Sequence, residues 1–436
     1  MSEKQRSTTF NIIATLITKF ILLFGGFIVS ILLARLLGPE GKGMIAAIFV
    51  FPLLMVSLAD MGIRQSTAYY VGKGQHKISD IISSIAFLWL ITSFVAIILV
   101  FIYYALGPSD KYPWIVLTVA LAAIPIKLIE QYAKGIMLGK NQISTINISQ
   151  LIQLAANIIS VLVLVWFLDL GVLGAAIVQI VTALTIAIYY LIKVRIYHQI
   201  KIKPISPIPK LLFLKGFSFA AVLFISNLNY KIDIMILDRM VIPSEIGIYS
   251  VGVNFAELLW QIPSAIGMVI FSKSTTTKKS MDSVNRSTAV LRLVLPSMVI
   301  CSLIIAVFAP LVIRMFYGVD FTEAGNILRI LLPGTCVITV FKVLQSDLAG
   351  RGYPLFALRV LVITVLINVF LNFILIPEYG IYGAAIASAV SYVLTGVGIG
   401  FVYSRKEKIP LKDILFLKKS DIDRVKDVVQ KNIFNI

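Results

Sequence analysis

The sequence predicts an all-α polytopic membrane protein of about twelve transmembrane helices. Hydrophobic residues make up 59% of the 436 residues and charged residues only 14%, and the mean hydropathy is +0.95. A soluble domain carries roughly 25% charged residues, so the composition excludes a water-soluble globule. Long apolar runs recur along the chain, and two sets of six runs share sequence motifs. The fold class that follows is two six-helix bundles related by a pseudo-two-fold axis along the membrane normal.

Twelve apolar runs are long enough to span a bilayer, which takes about 20 residues. The first run follows Lys4 and Arg6 but is longer than the apolar part of a secretory signal, which is about 7–15 residues. We therefore interpret it as an uncleaved span. The connecting loops are short, which leaves no room for a sizeable extramembrane domain between spans. The predicted spans cover residues 10–34, 43–71, 79–106, 113–138, 146–168, 172–196, 211–240, 245–272, 287–317, 324–350, 355–376 and 381–403.

A polar, charged tail follows the last span, at residues 404–436. Ser420 followed by Asp423 resembles a helix capping box, and apolar residues at 422, 425, 429 and 433 recur at helical spacing. This pattern predicts an amphipathic helix in the tail.

The placement of Lys and Arg predicts the orientation. With the N-terminus inside, eighteen Lys and Arg residues lie in cytoplasmic segments before the tail is counted, and five lie outside. Basic residues concentrate in cytoplasmic loops, so both ends are expected in the cytoplasm of a cytoplasmic (inner) membrane. The net charge of +18 then reflects topology and contact with anionic lipid, and no nucleic-acid partner is predicted. The five outside residues are Arg35, Lys42, Lys111, Arg239 and Arg314.

An internal repeat relates the two halves. LLARLLGPEGKGMI, from Leu32, matches ILDRMVIPSEIGIY, from Ile236, and three residue types align at one constant offset of 204. LGVLGAAIVQ, from Leu170, matches YGIYGAAIAS, from Tyr379, at an offset of 209. Each matched Pro or Gly is also compatible with simple helix termination. The repeat predicts an N-terminal bundle (1–198), a cytoplasmic linker (199–210), a C-terminal bundle (211–403) and the tail.

Polar stripes along several spans predict a water-filled cavity. In span 4, Lys127, Glu130, Gln131 and Lys134 lie on one helix face. A charge near the bilayer centre costs about 2.5–3.5 kcal/mol, so such residues face a cavity or one another. Ion pairing is the alternative, for Asp60 with Arg64, for Glu130 with Lys134 and for Asp233 with a neighbouring helix. Four further cations have no evident partner in the sequence pattern: Lys19, Lys231, Arg292 and Lys342. Their excess of positive charge favours a cavity that binds an anionic substrate.

Signals for catalysis or for a bound cofactor are lacking in the sequence. There is no Walker loop, no dinucleotide-binding glycine motif and no Cys/His cluster. Cys301 and Cys336 lie inside apolar runs, and His76 and His198 lie in predicted loops. We therefore expect no enzyme activity, no catalytic residues, no cofactor and no metal site. Transport would depend on an ion gradient or on the gradient of the substrate itself.

Four segments resemble the polysaccharide flippase branch of the multidrug/oligosaccharidyl-lipid/polysaccharide exporter superfamily. They are ARLLGPEGKG, ADMGIRQSTAYY, NLNYKIDIMIL running into IGIYSVG, and NFILIPEYGIYGAAIAS, in the order of the family and across almost the whole chain. The resemblance implies an alternating-access flippase for undecaprenyl-pyrophosphate-linked oligosaccharide, such as O-antigen or capsule repeat units. It also implies a cationic lumen, coupling to protons or sodium ions, and a polysaccharide polymerase as a partner.

Ten residues are the candidates for this function. The family's acidic-Gly motif of span 2 falls on Asp60 and Gly62, and its Asn and Asp of span 7 fall on Asn229 and Asp233. The predicted substrate-binding residues are Arg64, Lys127, Lys231, Arg292 and Lys342. The predicted ion-coupling or gating residues are Asp60, Glu130, Asn229, Asp233 and Glu257.

Other functions remain open. The sequence poorly distinguishes an oligosaccharide flippase from a lipid II or sporulation flippase. A multidrug exporter of the same superfamily would need a mostly apolar pocket for cationic drugs, which suits these charges less well. A membrane polysaccharide polymerase or ligase would need a large outside loop, and the predicted outside loops are only a few residues long.

Overall fold

The chain is almost entirely helical in the computed structural model, which describes residues 3–107, 111–195, 202–277, 280–418 and 421. A short π-helix, Val161–Phe167, follows α5, and a 3-10 turn, Val319–Phe321, precedes α10. The α-helices are α1 (Glu3–Ala59), α2 (Ile63–Lys73), α3 (Ile78–Ala105), α4 (Trp114–Gly139), α5 (Ile143–Ser160), α6 (Gly171–Arg195), α7 (Ile208–Met240), α8 (Pro243–Thr276), α9 (Ser280–Tyr317), α10 (Ala324–Gly350), α11 (Leu355–Glu407) and α12 (Leu411–Leu415).

Ten helical segments of the described chain are long and apolar enough to cross a membrane. Two of them, Ile17–Lys73 and Leu355–Glu407, are far longer than one bilayer crossing. Each contains a glycine with non-helical backbone angles, Gly38 in the first and Gly380 in the second. Each therefore supplies two of the predicted spans. The remaining helices match the other predicted spans within four residues at each end, except that α9 begins seven residues earlier than predicted.

The predicted repeat has a conformational counterpart in each half. Gly171 and Gly380, which the repeat aligns, both have left-handed φ values, of 51° and 54°. Three residues later, Gly174 and Gly383 both pack against a carbonyl oxygen of the preceding helical segment. A side chain is strained at the first position and obstructed at the second, so glycine is required at both.

The other pair of aligned segments meets face to face. A Cβ placed on Gly43 would lie 1.7 Å from the carbonyl oxygen of Pro243, and one on Gly247 would lie 1.9 Å from that of Pro39. The contact is reciprocal, as expected where a two-fold relation passes between two equivalent segments. The backbones touch because neither glycine carries a side chain.

The chain forms two compact units, residues 1–248 and 249–436. In the first unit α7 packs against α1, α2 and α3, so it lies with the helices of the N-terminal half. The second unit is built around α10, which packs on α9 and α11. The predicted bundle boundary at 199–210 stays a prediction. The tail helix predicted around Ser420 and Asp423 lies outside the described residues, apart from Asp421.

Candidate functional site

The helix that forms the second span is broken between α1 and α2. Met61 and Gly62 have positive φ values, of 43° and 68°. The Asp60 carboxylate accepts a hydrogen bond from the backbone N–H of Arg64, at 3.3 Å. A helix end inside a membrane must find partners for its freed backbone groups, and Asp60 supplies one for the start of α2. The break thus places an acidic and a basic side chain at one point inside the span.

Two neighbouring helices pack closely against this break. A Cβ on Gly62 would lie 2.1 Å from the carbonyl oxygen of Gly216 in α7. A Cβ on Gly135 in α4 would lie 2.7 Å from the carbonyl oxygen of Arg64. Small residues let membrane helices approach at backbone distance. Here they bring α4 and α7 up to the charged residues of the break.

A polar cavity of about 330 Å³ lies beside the break, lined by α1, α2, α4, α5 and α7 of the first unit. Asp60 and Glu130 are largely buried in the protein, with 7% and 9% of their surface exposed. Such a concentration of polar groups within spans is expected only around a water-filled space. The polar lining residues are Ser57, Asp60, Arg64, Lys127, Glu130, Gln131, Gln153 and Asn227, and the apolar ones are Leu53, Val56, Ala220 and Leu223.

Neutral amides hold the two cations of the cavity. The Arg64 guanidinium donates to Oε1 of Gln131 at 3.1 Å, and the Lys127 ammonium donates to Oε1 of Gln179 at 3.3 Å. An amide oxygen orients a cation without cancelling its charge. Neither cation is in direct contact with a carboxylate, so both are available to bind an anionic ligand.

The ion pairs allowed by helical spacing do not form in this cavity. Among the described residues, the ion pairs within 4.0 Å involve neither Asp60 with Arg64 nor Glu130 with Lys134. Asp60 instead bonds to the backbone of Arg64. The pairing alternative is therefore wrong for both pairs.

The remaining candidates of the first unit lie on α7 and do not line the polar cavity. Asn229 and Asp233 are buried, with 0% and 1% of their surface exposed. The Asp233 carboxylate accepts the backbone N–H of Ile234 at 2.8 Å. Lys231 lies between them in the sequence and has an interaction of its own. Asn227, which lines the cavity, precedes Asn229 by two residues, but none of these three residues lines the cavity itself.

The candidates of the second unit have other partners. Arg292 forms a bidentate ion pair with Asp421, with nitrogen–oxygen distances of 2.6 and 2.9 Å. Lys342 lies over the ring of Trp260, 4.9 Å from its centre. Glu257, on α8, also interacts with a neighbour. The expectation that Lys19, Lys231, Arg292 and Lys342 lack partners is wrong for all four.

Sequence reasoning missed two contributors to the cavity. Gln179 lies alone in an apolar span, so no stripe marks it as the partner of Lys127. The Ser57 hydroxyl accepts a hydrogen bond from the side-chain amide of Asn227 at 2.9 Å, which joins α1 to α7. Pairings between helices cannot be read from one helix at a time, and no local signal pointed to either residue.

A second polar cluster joins the segment before α4 to the end of α7. The Tyr112 hydroxyl donates to the Asp238 carboxylate at 2.5 Å, and Lys111 donates to the backbone oxygen of Asp238. Arg239 lies over the ring of Tyr103, 5.0 Å from its centre. Burial and the negative charge of Asp238 raise the pKa of Tyr112. The phenol therefore stays protonated and remains a hydrogen-bond donor.

Comparison with known proteins gives a consistent picture. The family described as polysaccharide biosynthesis protein matches residues 6–271. A candidate O-antigen transporter of Shigella flexneri is 24% identical over 399 residues, which is 86% of this chain and 92% of that protein. The candidate low-salt glycan biosynthesis flippase Agl15 of Haloferax volcanii is 28% identical over 172 residues. That alignment covers 38% of this chain and only 36% of Agl15.

Solved structures identify the fold. A multidrug resistance MATE family transporter of the MOP superfamily, in an inward-facing conformation, superposes with a TM-score of 0.74 at 15% identity. That comparison covers 92% of this chain and 99% of the transporter. The lipid II flippase MurJ gives a TM-score of 0.73 at 18% identity, over 93% of this chain and 89% of MurJ. The predicted fold class and the family resemblance are both confirmed.

Proposed function

We propose that this chain, which belongs to the polysaccharide biosynthesis protein family, translocates lipid-linked oligosaccharide repeat units across the cytoplasmic membrane. The relatives that support a glycan substrate are named as an O-antigen transporter and a glycan biosynthesis flippase. The observation that carries the proposal is the polar cavity, in which Arg64 and Lys127 are held by neutral amides. Two cations that form no direct ion pair with the carboxylates of the cavity can bind the anionic pyrophosphate of such a substrate.

Arg64 and Lys127 would bind the pyrophosphate in different ways. A guanidinium can donate two parallel hydrogen bonds to phosphate oxygens, whereas an ammonium acts as a compact point charge. Removing a pyrophosphate from water is costly, so its passage needs compensating charge within the membrane. Arg64 and Lys127 supply this compensating charge at the depth where α2 begins.

The neutral polar residues of the cavity would bind the sugars. Gln153 and Asn227 offer amide donors and acceptors that can pair with hydroxyl groups. The cavity volume of about 330 Å³ lies at the lower end of typical ligand sites, roughly 300–1,000 Å³. It suits a part of an oligosaccharide, so we propose that sugars pass through it successively.

Carboxylates beside these cations would couple transport to an ion. Asp60 and Glu130 line the same cavity as Arg64 and Lys127, where uptake of a proton or sodium ion would change the affinity for an anion. We propose that Asn229, Asp233 and Glu257 act in gating, and that Lys231 and Lys342 are later substrate contacts. Arg292 is left out because its guanidinium is engaged by Asp421.

Variants in a deletion strain test the proposal. Loss of the gene should abolish surface polysaccharide, and plasmid-borne wild type should restore it. Arg64→Ala and Lys127→Ala should fail to restore it, because each removes one cation from the cavity, and lipid-linked repeat units should accumulate. The readouts are surface polysaccharide by immunoblot and lipid-linked oligosaccharide by mass spectrometry.

Lys140→Ala is the matched control. Lys140 follows the end of α4 and does not line the cavity, so this variant should restore polysaccharide fully. Membrane levels of all variants are compared by immunoblot. Normal polysaccharide in both Arg64→Ala and Lys127→Ala strains would contradict the assignment.

A multidrug exporter is the second candidate, favoured by the similarity to the MATE transporter fold. It predicts that the deletion strain becomes more sensitive to cationic drugs while its surface polysaccharide is unchanged. The charged lining of the cavity favours the glycan substrate. A lipid II substrate, as named for MurJ, predicts instead that the deletion impairs growth and peptidoglycan synthesis.

A further inference from the structure

A second cavity, of about 170 Å³, lies between α3, α4 and α6. Its walls are apolar and include Ile82 and Ile85 of α3, Ile136 of α4 and Leu191 of α6. The α4 residues that line it differ by about half a helical turn from those lining the polar cavity, so the two cavities lie on opposite faces of α4. We call this second cavity the apolar crevice.

The two polar side chains of the apolar crevice have their polar atoms bonded to the protein. The Trp89 indole N–H donates to the backbone oxygen of Pro125 at 2.8 Å. The Tyr132 hydroxyl donates to the backbone oxygen of Ala59 at 2.9 Å. The crevice therefore offers no site to water, and an apolar cavity of this kind stays dry. Inside a bilayer the material that can enter it is hydrocarbon.

Two lysines lie on segments at the end of the apolar crevice where the helices leave the membrane. α3 begins, and α4 and α6 end, on this side. Lys77 directly precedes α3. Lys203 directly follows Ile202, which lines the crevice and is 57% exposed. Lys193 of α6 lies over the ring of Tyr189, on the helix face opposite Leu191, and is not part of this group. Two lysines thus lie on elements that form the crevice.

The segment that carries Lys203 is tied to α3. The backbone N–H of Ile205 donates to the Ser84 hydroxyl at 3.3 Å. Ser84 lies between the crevice residues Ile82 and Ile85, so this bond holds the linker at Ile205 against the helix. The bond thus positions the linker at the crevice, with Lys203 at the end where the helices leave the membrane.

We propose that the apolar crevice binds an acyl chain of an anionic phospholipid, whose phosphate is held by Lys77 and Lys203. An apolar slot with a lysine on each of two adjoining elements matches the two features that an anionic lipid presents, a hydrocarbon chain and a negative headgroup. A zwitterionic lipid fits the slot equally but gains less from the lysines. This lipid site is separate from the transport cavity and does not depend on the substrate proposed above.

Trp89 provides a built-in reporter. The chain has four tryptophans, and a variant that keeps only Trp89, with the other three changed to Phe, reports on the crevice alone. The purified variant is reconstituted into phosphatidylcholine vesicles that contain a minor fraction of brominated phosphatidylglycerol or, at the same fraction, brominated phosphatidylcholine. Bromine quenches tryptophan fluorescence on contact. We expect preferential quenching by phosphatidylglycerol, with a relative association on the order of tenfold.

Two controls make the result specific. A variant that keeps only Trp166, whose side chain is 65% exposed, should show equal quenching by the two lipids. Changing Lys77 and Lys203 to Gln in the Trp89 variant should leave quenching in place and remove the preference. High salt should weaken the preference in the same way.

Equal quenching of Trp89 by the two lipids would overturn the headgroup assignment, and lack of any quenching would overturn the crevice as a lipid site. If the single-tryptophan proteins do not fold, native mass spectrometry of the otherwise wild-type chain replaces them. Wild type should then retain phosphatidylglycerol after detergent purification, and the variant with Lys77 and Lys203 changed to Gln should lose it. Equal retention would also contradict the proposal.

Discussion

The partners of individual cations decide what the polar cavity can bind. Lys127 and Arg64 each contact an amide oxygen, so neither is neutralised by a carboxylate within ion-pair distance in the described chain. The helical stripe of α4 predicted that Lys127, Glu130 and Gln131 share a face, and all three line the cavity. The stripe did not reveal Gln179, because that contact comes from α6.

Changing Gln179 to Glu tests whether it matters that Lys127 contacts an amide and not a carboxylate. A carboxylate at this position would form an ion pair with Lys127 and compete with an anionic substrate. We expect transport to fall on the order of tenfold, measured as surface polysaccharide in the deletion strain. Gln179→Met keeps the length without the charge and should cost much less. Equal activity of the Glu and Met variants would contradict the prediction.

Asp60 has two separable roles, as a helix cap and as a titratable carboxylate. Asp60→Asn keeps an oxygen that can accept the N–H of Arg64 but cannot take up a proton, whereas Asp60→Ala removes both functions. If Asp60 couples transport to an ion, both variants should be inactive, and the Asn variant should fold as wild type. Transport in vesicles and the thermal midpoint separate the outcomes. Full activity of Asp60→Asn would leave only the capping role.

The Arg292–Asp421 pair predicts a stabilising contact in the second unit. Only 6% of Arg292 and 1% of Asp421 are exposed. Removing one partner of such a buried pair leaves a charge without compensation and costs about 3–5 kcal/mol. Asp421→Ala should therefore lower the thermal midpoint markedly. Lys418→Ala, which removes the exposed pair with Asp413, should change it little. An unchanged midpoint in Asp421→Ala would contradict the structural role.

At the scale of helices, the hydropathy pattern predicted the membrane spans but not the interruptions within them. The apolar runs predicted the spans because each must satisfy the same bilayer thickness. The interruption at Asp60, Met61 and Gly62 has no proline to announce it. It depends on α4 and α7 packing against it, which is tertiary information. The same applies to the π-helix at Val161–Phe167, which lies within an unbroken apolar run.

The reciprocal glycine contact makes a prediction for the internal repeat. Gly43→Ala should destabilise the protein by about 1–3 kcal/mol, because a Cβ there meets the Pro243 carbonyl and forces the two segments apart. Gly247→Ala should have a similar effect. Gly26→Ala is the control, since nothing lies within 4 Å of a Cβ at that position. Thermal unfolding in detergent measures all three. A midpoint for Gly43→Ala equal to that of Gly26→Ala would contradict the contact.

For the whole molecule, the sequence predicted the architecture better than the site. Of the ten candidate residues, Asp60, Arg64, Lys127 and Glu130 line one cavity. Asn229, Lys231 and Asp233 form a separate group on α7, and Arg292 is paired with Asp421. A periodic pattern shows which residues share a face of one helix, but not which faces meet. The cavity is a property of five helices, so only the fold could assemble it.

Membrane topology and transport belong to the whole molecule as well. The excess of Lys and Arg on one set of loops predicts that both ends are cytoplasmic. The proposed function requires that the polar cavity be reached from the cytoplasmic side, on which lipid-linked precursors are made. Alternating access to such a cavity is the behaviour proposed here for the chain.

The most direct test is translocation by the purified protein. The wild type is reconstituted into vesicles with a fluorescent polyprenyl-pyrophosphate oligosaccharide, and an impermeant glycosidase reports the fraction exposed outside. We predict that wild-type and Lys140→Ala vesicles move the lipid until all of it becomes accessible, and that Arg64→Ala and Lys127→Ala vesicles stay at the protein-free level. Wild-type vesicles that remain at the protein-free level, or cation variants as active as wild type, would contradict the account.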